Sequence, residues 1–236
     1  MISVSRHLPL IALFTFIFIV FFIAFEDLSR LIEQYGGYGK DYFAAFGLED
    51  TGANNLVTAI LLDYRLFDSL FEAGILLIAV SGIIWISKHD LEEKNAQFML
   101  DKYKTPDLFV TFSRLVYPLM LAFGFYVIIN GHLSPGGGFQ GGAIVATAVL
   151  ILYYIDSDKA TNIGLIVTVE KLTYIAILVV AFISLFTRGE VFTNFFDPSG
   201  GAPRMAIYLV LLNVLIGVKV ALGLWTIFTA FLQEGR

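Results

Sequence analysis

Long apolar runs are the feature that most restricts how this chain can fold. The first, LPLIALFTFIFIVFFIAF, covers Leu8–Phe25 without a charged residue. Because a membrane-spanning helix needs about 20 predominantly apolar residues, we expect this run to cross a bilayer. A cleaved signal peptide is the alternative, since Arg6 precedes the run. However, the run is long for a signal sequence and is followed by EDLSR rather than a small-residue cleavage site. We therefore predict a retained anchor.

Five further apolar runs follow, at about 69–87, 108–130, 139–155, 166–187 and 206–232. The composition agrees, because 58% of the residues are hydrophobic and only 15% are charged, with a mean hydropathy of +0.80. Soluble domains carry about 25% charged residues. The sequence therefore predicts an all-α integral membrane helical bundle of about six transmembrane helices.

The polar loop KHDLEEKNAQFMLDKYKTPD, residues 88–107, divides the chain. It separates a two-span N-terminal region, 1–95, from a four-span domain, 96–236. The loop carries four lysines: Lys88, Lys94, Lys102 and Lys104. By the positive-inside rule we expect it in the cytoplasm, and six spans then predict that both termini lie there too. The opposite loops also carry basic residues, so the charge asymmetry is small.

Several functions are excluded or not expected. The net charge of −5 is spread through the loops, which argues against nucleic acid as a partner. The absence of cysteine excludes disulfides, thiolate metal sites and iron–sulfur ligation in this chain. Neither a P-loop nor a dinucleotide fingerprint is present. We expect no cofactor, no bound metal and no catalytic residue.

Charged residues inside the apolar runs are the candidates for function, because each costs about 2.5–3.5 kcal/mol at the centre of a spanning helix. Lys219 lies in the middle of LVLLNVLIGVKVALGLWTIF, too far from either end to snorkel. It handles protons or cations in one interpretation, and in the other it forms a buried ion pair with a carboxylate. Glu170 and Lys171 begin another span. The helix dipole accounts for Glu170, whereas Lys171 is harder to explain structurally.

A second group of charges lies in DYRLFDSLFEAG. If this segment is helical throughout, Arg65, Asp68 and Glu72 share one face, because they are spaced by three and four residues. Such a stripe fits a hydrated half-path for ions, with Glu72 as its deepest member, and it fits equally an interfacial cluster of ion pairs. Asp63 points elsewhere. A short helix around NNLVTAILLDY is expected before it, with Asn54 or Asn55 as the N-cap.

Six glycines occur in GHLSPGGGFQGG, residues 131–142. Gly138, Gly142 and Ala146 recur every four residues, a spacing of small residues that lets helices pack closely in lipid. We predict a tight turn back into the bilayer, followed by a helix that grips another helix. His132 in the turn is a candidate for the ion pathway, with a hydrogen-bonding turn residue as the alternative.

The segment RLVYPLMLAFGFYVIINGHLSPGGGFQGGAIVATAVLILY, Arg114–Tyr153, resembles the MnhB/MrpB subunit of multisubunit Na+/H+ antiporters and of related archaeal membrane-bound hydrogenase-type complexes. The resemblance covers about 108–232. Asn54–Ile83 is similar to the end of the antiporter A subunit, whose pattern is closer to D-[FY]-R-G-F-D-T-L-G-E. This chain departs from that pattern at Leu66, Ser69 and Phe71, and keeps its four charged positions: Asp63, Arg65, Asp68 and Glu72.

The resemblance implies a fusion of two subunits of one ion-translocating module. The implied partners are large antiporter-like subunits and other small hydrophobic ones, in a bilayer, with Na+ and H+ as the transported ions. It also implies that Glu72 lies on a hydrophilic path for these ions. A purely structural subunit and a self-sufficient transporter are the alternatives.

Overall fold

The computed structural model describes residues 37–93, 106–155, 163–197 and 200–234, together with four isolated helical positions, 15, 18, 19 and 22. Two compact units are distinguished, Met1–Ala45 and Phe46–Arg236. Apart from the four isolated positions, the predicted span Leu8–Phe25 lies outside the described residues. So do Lys94, Lys102 and Lys104 of the predicted cytoplasmic loop.

The described residues form helices and the turns between them, without a strand. The α-helices, in chain order, are α1 Tyr38–Thr51, α2 Leu56–Ala59, α3 Leu66–Glu93, α4 Asp107–Ile129, α5 Gly138–Ile155, α6 Ile163–Thr187 and α7 Ala202–Glu234. A π-helical segment, Ile60–Tyr64, follows α2 directly. The prediction of an all-α fold is confirmed for this part of the chain.

Four helices in the described part are long and apolar enough to cross a membrane: Leu66–Ser87, Asp107–Ile129, Ile163–Thr187 and Ala202–Phe231. They match four of the predicted apolar runs. The fifth, in α5, has a shorter apolar stretch, Gly138–Tyr153. At about 1.5 Å per residue it is roughly 24 Å long, against about 30 Å for a hydrocarbon core. The loop predicted to begin at residue 88 begins later, because α3 continues to Glu93.

Helix α7 is the centre of the second unit. Half of its apolar window is buried, against 22% for each of the other three long helices, and it packs against α3, α5 and α6. The core around it includes Leu66, Leu70, Ile177, Leu212 and Ile216. The other helices turn large apolar side chains outwards, as expected for surfaces that face lipid or other apolar helices.

The contact between α5 and α7 depends on two glycines. A Cβ on Gly138 would lie 2.6 Å from the carbonyl oxygen of Asn213, and a Cβ on Gly142 would lie 2.6 Å from that of Gly217. No Cβ tolerates such distances, so only glycine lets the two backbones approach this closely. Ala146, the third member of the predicted stripe, is fully buried.

The helical conformation is interrupted at Arg65. The π-helical segment ends there, with Arg65 at φ −134° and ψ 40°, and α3 begins at the next residue. A continuous helix, the condition for Arg65, Asp68 and Glu72 to share one face, is therefore not met at Arg65. The predicted N-cap is confirmed, because Asn55 Oδ1 accepts a hydrogen bond from the Val57 backbone N–H at 3.1 Å.

Candidate functional site

A cleft of about 140 Å³ lies within the second unit, lined by polar residues and by apolar ones such as Val57, Leu62 and Phe139. Its walls come from three parts of the sequence. Thr58 and Leu61 of the α2–π segment form one side, Ser69 and Glu72 of α3 another. The third side is formed by the glycine segment, which we define as residues 131–142, and by α7: Gly136, Gly137, Gly138, Gln140, Asn213 and Ile216. The cleft thus joins the N-terminal region to the segment that carries the glycine motif.

The start of α3 places Glu72 in the cleft. Ser69 is buried, and its hydroxyl donates to the Leu61 carbonyl oxygen at 2.7 Å, which ties the first turn of α3 to the π-helical segment. Glu72 follows Ser69 by three residues and lines the cleft with an exposed side chain. Single π-helical turns often occur at functional sites, because the extra residue re-aims the side chains that follow.

The glycine segment is held as a fixed wall and is not a flexible linker. Asn55 Nδ2 donates to the carbonyl oxygens of Gly131 at 2.8 Å and Ser134 at 2.9 Å, and the Asn55 backbone N–H donates to that of His132 at 3.0 Å. The Thr58 hydroxyl donates to Gly131 O at 2.6 Å. Residues more than 70 positions apart in sequence are therefore joined by four hydrogen bonds at one edge of the cleft.

Asn213 fixes the other edge of the cleft. Its Oδ1 accepts a hydrogen bond from the Gly138 backbone N–H at 2.8 Å. Its Nδ2 is buried and has no hydrogen-bond partner in the part of the chain that the structure describes. The cleft therefore offers one carboxylate, neutral oxygen atoms and an amide donor. Oxygen ligands of this kind suit hard cations and water rather than transition metals. No group of three or more His, Cys, Asp or Glu residues converges among the described residues.

Arg65 and Asp68 form an ion pair outside this cleft. Arg65 Nη2 lies 2.6 Å from Asp68 Oδ2, and the two side chains are 62% and 45% exposed. Solvent-exposed pairs of this kind contribute about 0–1 kcal/mol. Of the predicted stripe, the structure brings only Glu72 to the cleft.

Lys219 is fully buried and paired with Glu170. Its Nζ lies 3.1 Å from Glu170 Oε1, and neither side chain is exposed. The contact lacks hydrogen-bond geometry, and Glu170 Oε2 has no partner among the described residues. The explanation of Glu170 by the helix dipole is wrong, because α6 begins at Ile163, about two turns earlier, and the dipole acts within the first turn.

The remaining predicted site residues lie elsewhere. Lys171, next to Glu170, is exposed on α6 and takes part neither in the cleft nor in the buried pair. His132 is half-buried in the glycine segment and does not line the cleft, and its Nδ1 is buried without a partner in the described ranges. Their roles in an ion pathway stay predictions.

Asp63 forms a separate buried contact at the end of the bundle, outside the long helices. Its Oδ1 accepts a hydrogen bond from the Asn194 backbone N–H at 2.9 Å. Burial raises the pKa of Asp63 from 3.8 to about 6, although the Asn194 hydrogen bond and the charge of Arg188 act in the opposite direction. Arg188 Nη1 also donates to the Asn194 carbonyl oxygen at 3.0 Å.

Together, the long apolar helices, the ion pair between two of them and the cleft that Glu72 lines define a helical membrane protein with polar groups inside its bundle. Residues 108–226 match the family described as a domain related to the MnhB subunit of Na+/H+ antiporter. The chain belongs to this family, and it is a membrane subunit of an Mrp-type module.

Two proteins are related to this chain in sequence. An uncharacterized protein of Methanocaldococcus jannaschii is 31% identical over 196 residues, which is 73% of this chain and 74% of that protein. The B subunit of a Na(+)/H(+) antiporter of Bacillus subtilis is 41% identical over 54 residues, which is 22% of this chain and 38% of the relative.

Among solved structures, the chain is similar to one in the membrane-bound sulfane sulfur reductase, an archaeal respiratory membrane complex. The identity is 28%, the TM-score is 0.63, and the match covers 95% of this chain and 97% of the other. A chain of the Mrp complex from Dietzia shares the fold, with a TM-score of 0.53 and 22% identity over 94% of this chain and 26% of the other.

Proposed function

We propose that this chain contributes to Na+ and H+ translocation by an Mrp-type antiporter module, and that Glu72 is the carboxylate at which the ion binds. The observation that carries the proposal is the cleft, which places Glu72 opposite the glycine segment and Asn213. A single carboxylate among neutral oxygens binds a cation weakly enough to release it, which ion passage requires.

The proposed setting is a multi-pass protein of the cell membrane, assembled with antiporter-like and other small hydrophobic membrane subunits. The module belongs to a respiratory complex, such as a membrane-bound hydrogenase or a related redox-driven pump. The likeness to the sulfane sulfur reductase supports this setting, because it extends over 97% of that chain.

The proposed organisation is a fusion. Residues 1–95 carry the segment similar to the end of the antiporter A subunit, and residues 96–236 form the MnhB-like domain. About six spans follow if Leu8–Phe25 and the shorter helix α5 both cross the membrane. The hydrogen bonds from Asn55 and Thr58 to the glycine segment support the fusion, because they make the two regions one structural unit around the cleft.

Replacing Glu72 in the assembled complex tests the proposal. We expect Glu72→Gln to keep the subunit in the complex and to lower Na+ and H+ movement in membrane vesicles, because the amide removes the charge at nearly unchanged shape. Glu49→Gln is the matched control, since Glu49 is exposed on α1 and does not line the cleft. Normal transport by an intact Glu72→Gln complex would favour a purely structural subunit.

The purified chain in liposomes tests the remaining alternative. We expect no cation flux, because the chain acts as one subunit of a larger path. Flux from the chain alone would identify a self-sufficient transporter.

A further inference from the structure

Burying the ion pair between Glu170 and Lys219 carries a large desolvation free energy. Both side chains are fully buried, and each lies inside a helix long and apolar enough to span a membrane. A buried ion pair seldom stabilises a protein more than apolar side chains of the same volume would. Ionisable residues inside membrane-spanning helices commonly pair with one another and belong to ion pathways or proton relays.

The pair lies further along α7 than the residues that line the cleft. On α7, Asn213 and Ile216 line the cleft, and Lys219 follows Ile216 by one helical turn, about 4.5 Å along the axis. On α3, Glu72 lines the cleft, and Leu76 follows it by one turn. Leu76 and Glu170 meet at the same place, because a Cβ on Gly223 would lie 3.6 Å from Leu76 Cδ2 and 3.5 Å from Glu170 Oε1.

Lys219 lies one turn beyond Ile216 on α7, and Glu170 Oε1 lies beside Gly223, which follows Ile216 by about two turns, roughly 10.5 Å along the axis. Apolar side chains, among them that of Leu76, lie between the carboxylate and the cleft. A transient chain of several water molecules is needed to bridge this distance. The carboxylate also has a free acceptor, because Glu170 Oε2 has no hydrogen-bond partner among the described residues. A proton can bond there without breaking the contact between Oε1 and Lys219.

We propose that Glu170 and Lys219 form a proton site that exchanges one proton with the cleft. The inference rests on the proposed function, because the Glu72 cleft is the route of entry. A hydronium ion in the cleft gives its proton to Glu170 Oε2. One O–H bond forms, a water molecule is left, and the pair changes from neutral to singly positive. The reverse step releases the proton, and no electrons are transferred.

The position of Glu72 links this proton to the cation. A Na+ ion beside Glu72 cancels the negative charge that favours a positive pair, so entry of Na+ promotes release of the proton. Three charged residues on the described helices around the pair matter for this link. Glu72 on α3 lines the cleft, Lys171 on α6 is exposed, and Lys219 on α7 belongs to the pair itself. The site therefore couples one proton to one cation through charge alone.

The test compares paired variants in the assembled complex in membrane vesicles. Glu170→Gln and Lys219→Met each leave one buried group unpaired and are expected to impair assembly. The double variant Glu170→Gln/Lys219→Met removes both charges and is expected to assemble. We expect its Na+-dependent proton movement to fall about 100-fold, the scale of a positioned proton-transfer group. Wild-type transport by the assembled double variant would overturn the inference.

Infrared difference spectroscopy gives a second readout that does not need the double variant. In the wild-type complex, adding Na+ is expected to reduce a band of a protonated carboxyl group, and Glu170→Asp is expected to shift that band. A spectrum without a band sensitive to Glu170→Asp would overturn the inference. Glu72→Gln separates the two proposals. If that variant loses transport while the double variant keeps it, only the proton site fails. If Glu72→Gln transports normally, the proposed function fails.

Discussion

Replacing Asp63 by asparagine is expected to stabilise the protein at neutral pH. Asp63 is 8% exposed, and burial raises its pKa from 3.8 to about 6. The hydrogen bond from the Asn194 N–H to Oδ1 at 2.9 Å needs only an oxygen acceptor, which asparagine also provides. The substitution therefore keeps the contact and removes the charge whose burial is unfavourable.

The magnitude follows from the pKa. One pKa unit corresponds to about 1.36 kcal/mol, so the shift from 3.8 to about 6 is worth roughly 3 kcal/mol. The folded state holds the Asp63 proton more tightly than the unfolded state does. The contribution of this group to stability is therefore complete below its unfolded pKa of 3.8, and it is lost as the pH rises through about 6. Above that pH, Asp63→Asn is expected to be more stable by up to about 3 kcal/mol.

Thermal unfolding of the purified full chain in detergent, from about pH 4 to pH 8, measures this effect. We expect the loss of stability between these values to be smaller in Asp63→Asn than in the wild type. Asp68→Asn is the matched control, since Asp68 is an exposed aspartate and its change is expected to stay within about 1 kcal/mol. A less stable Asp63→Asn at pH 7 would refute the reasoning. It would show that Arg188 and Asn194 stabilise the charge of Asp63 more than burial opposes it.

Two further substitutions test the walls of the cleft and the helix contact, both by thermal unfolding. Asn55→Ala removes two hydrogen bonds to the glycine segment and leaves the carbonyl oxygens of Gly131 and Ser134 without these donors, at a cost of about 1–3 kcal/mol. Asn54→Ala, at an exposed neighbour, is expected to cost much less, and equal losses would contradict the role of Asn55. Gly142→Ala is expected to destabilise the chain, because the new Cβ would lie 2.6 Å from Gly217 O. Gly82→Ala, with nothing within 4 Å, is expected to stabilise it by about 0.5–1 kcal/mol, and equal effects would refute the close contact.

The sequence predicted the elements of the site better than their arrangement. It identified Lys219 as a charge inside a span and Asn55 as one of two candidate N-caps, because each depends on local composition or spacing. It also indicated Glu72 as a candidate for the ion pathway, a role that stays a prediction. It assigned Glu170 to a helix start. A lysine in the middle of an apolar run calls for a carboxylate at similar depth, and Glu170 was the candidate that this reasoning could have found. Recognising Glu170 as a residue inside the helix required the start of α6 at Ile163. Hydropathy places a helix start only within a few residues.

The sequence by itself determined that this protein lies in a lipid bilayer and where its long helices run. Hydropathy is summed over about 20 consecutive residues, so one misread residue changes little. Only the tertiary structure decided which groups meet. Lys219 meets Glu170 at 3.1 Å, and Glu72 shares a cleft with Asn213 and the glycine segment. These contacts depend on which face each helix turns to its neighbours. Arg65, where the helix breaks, and Gly138 and Gly142, where two helices touch, set those faces.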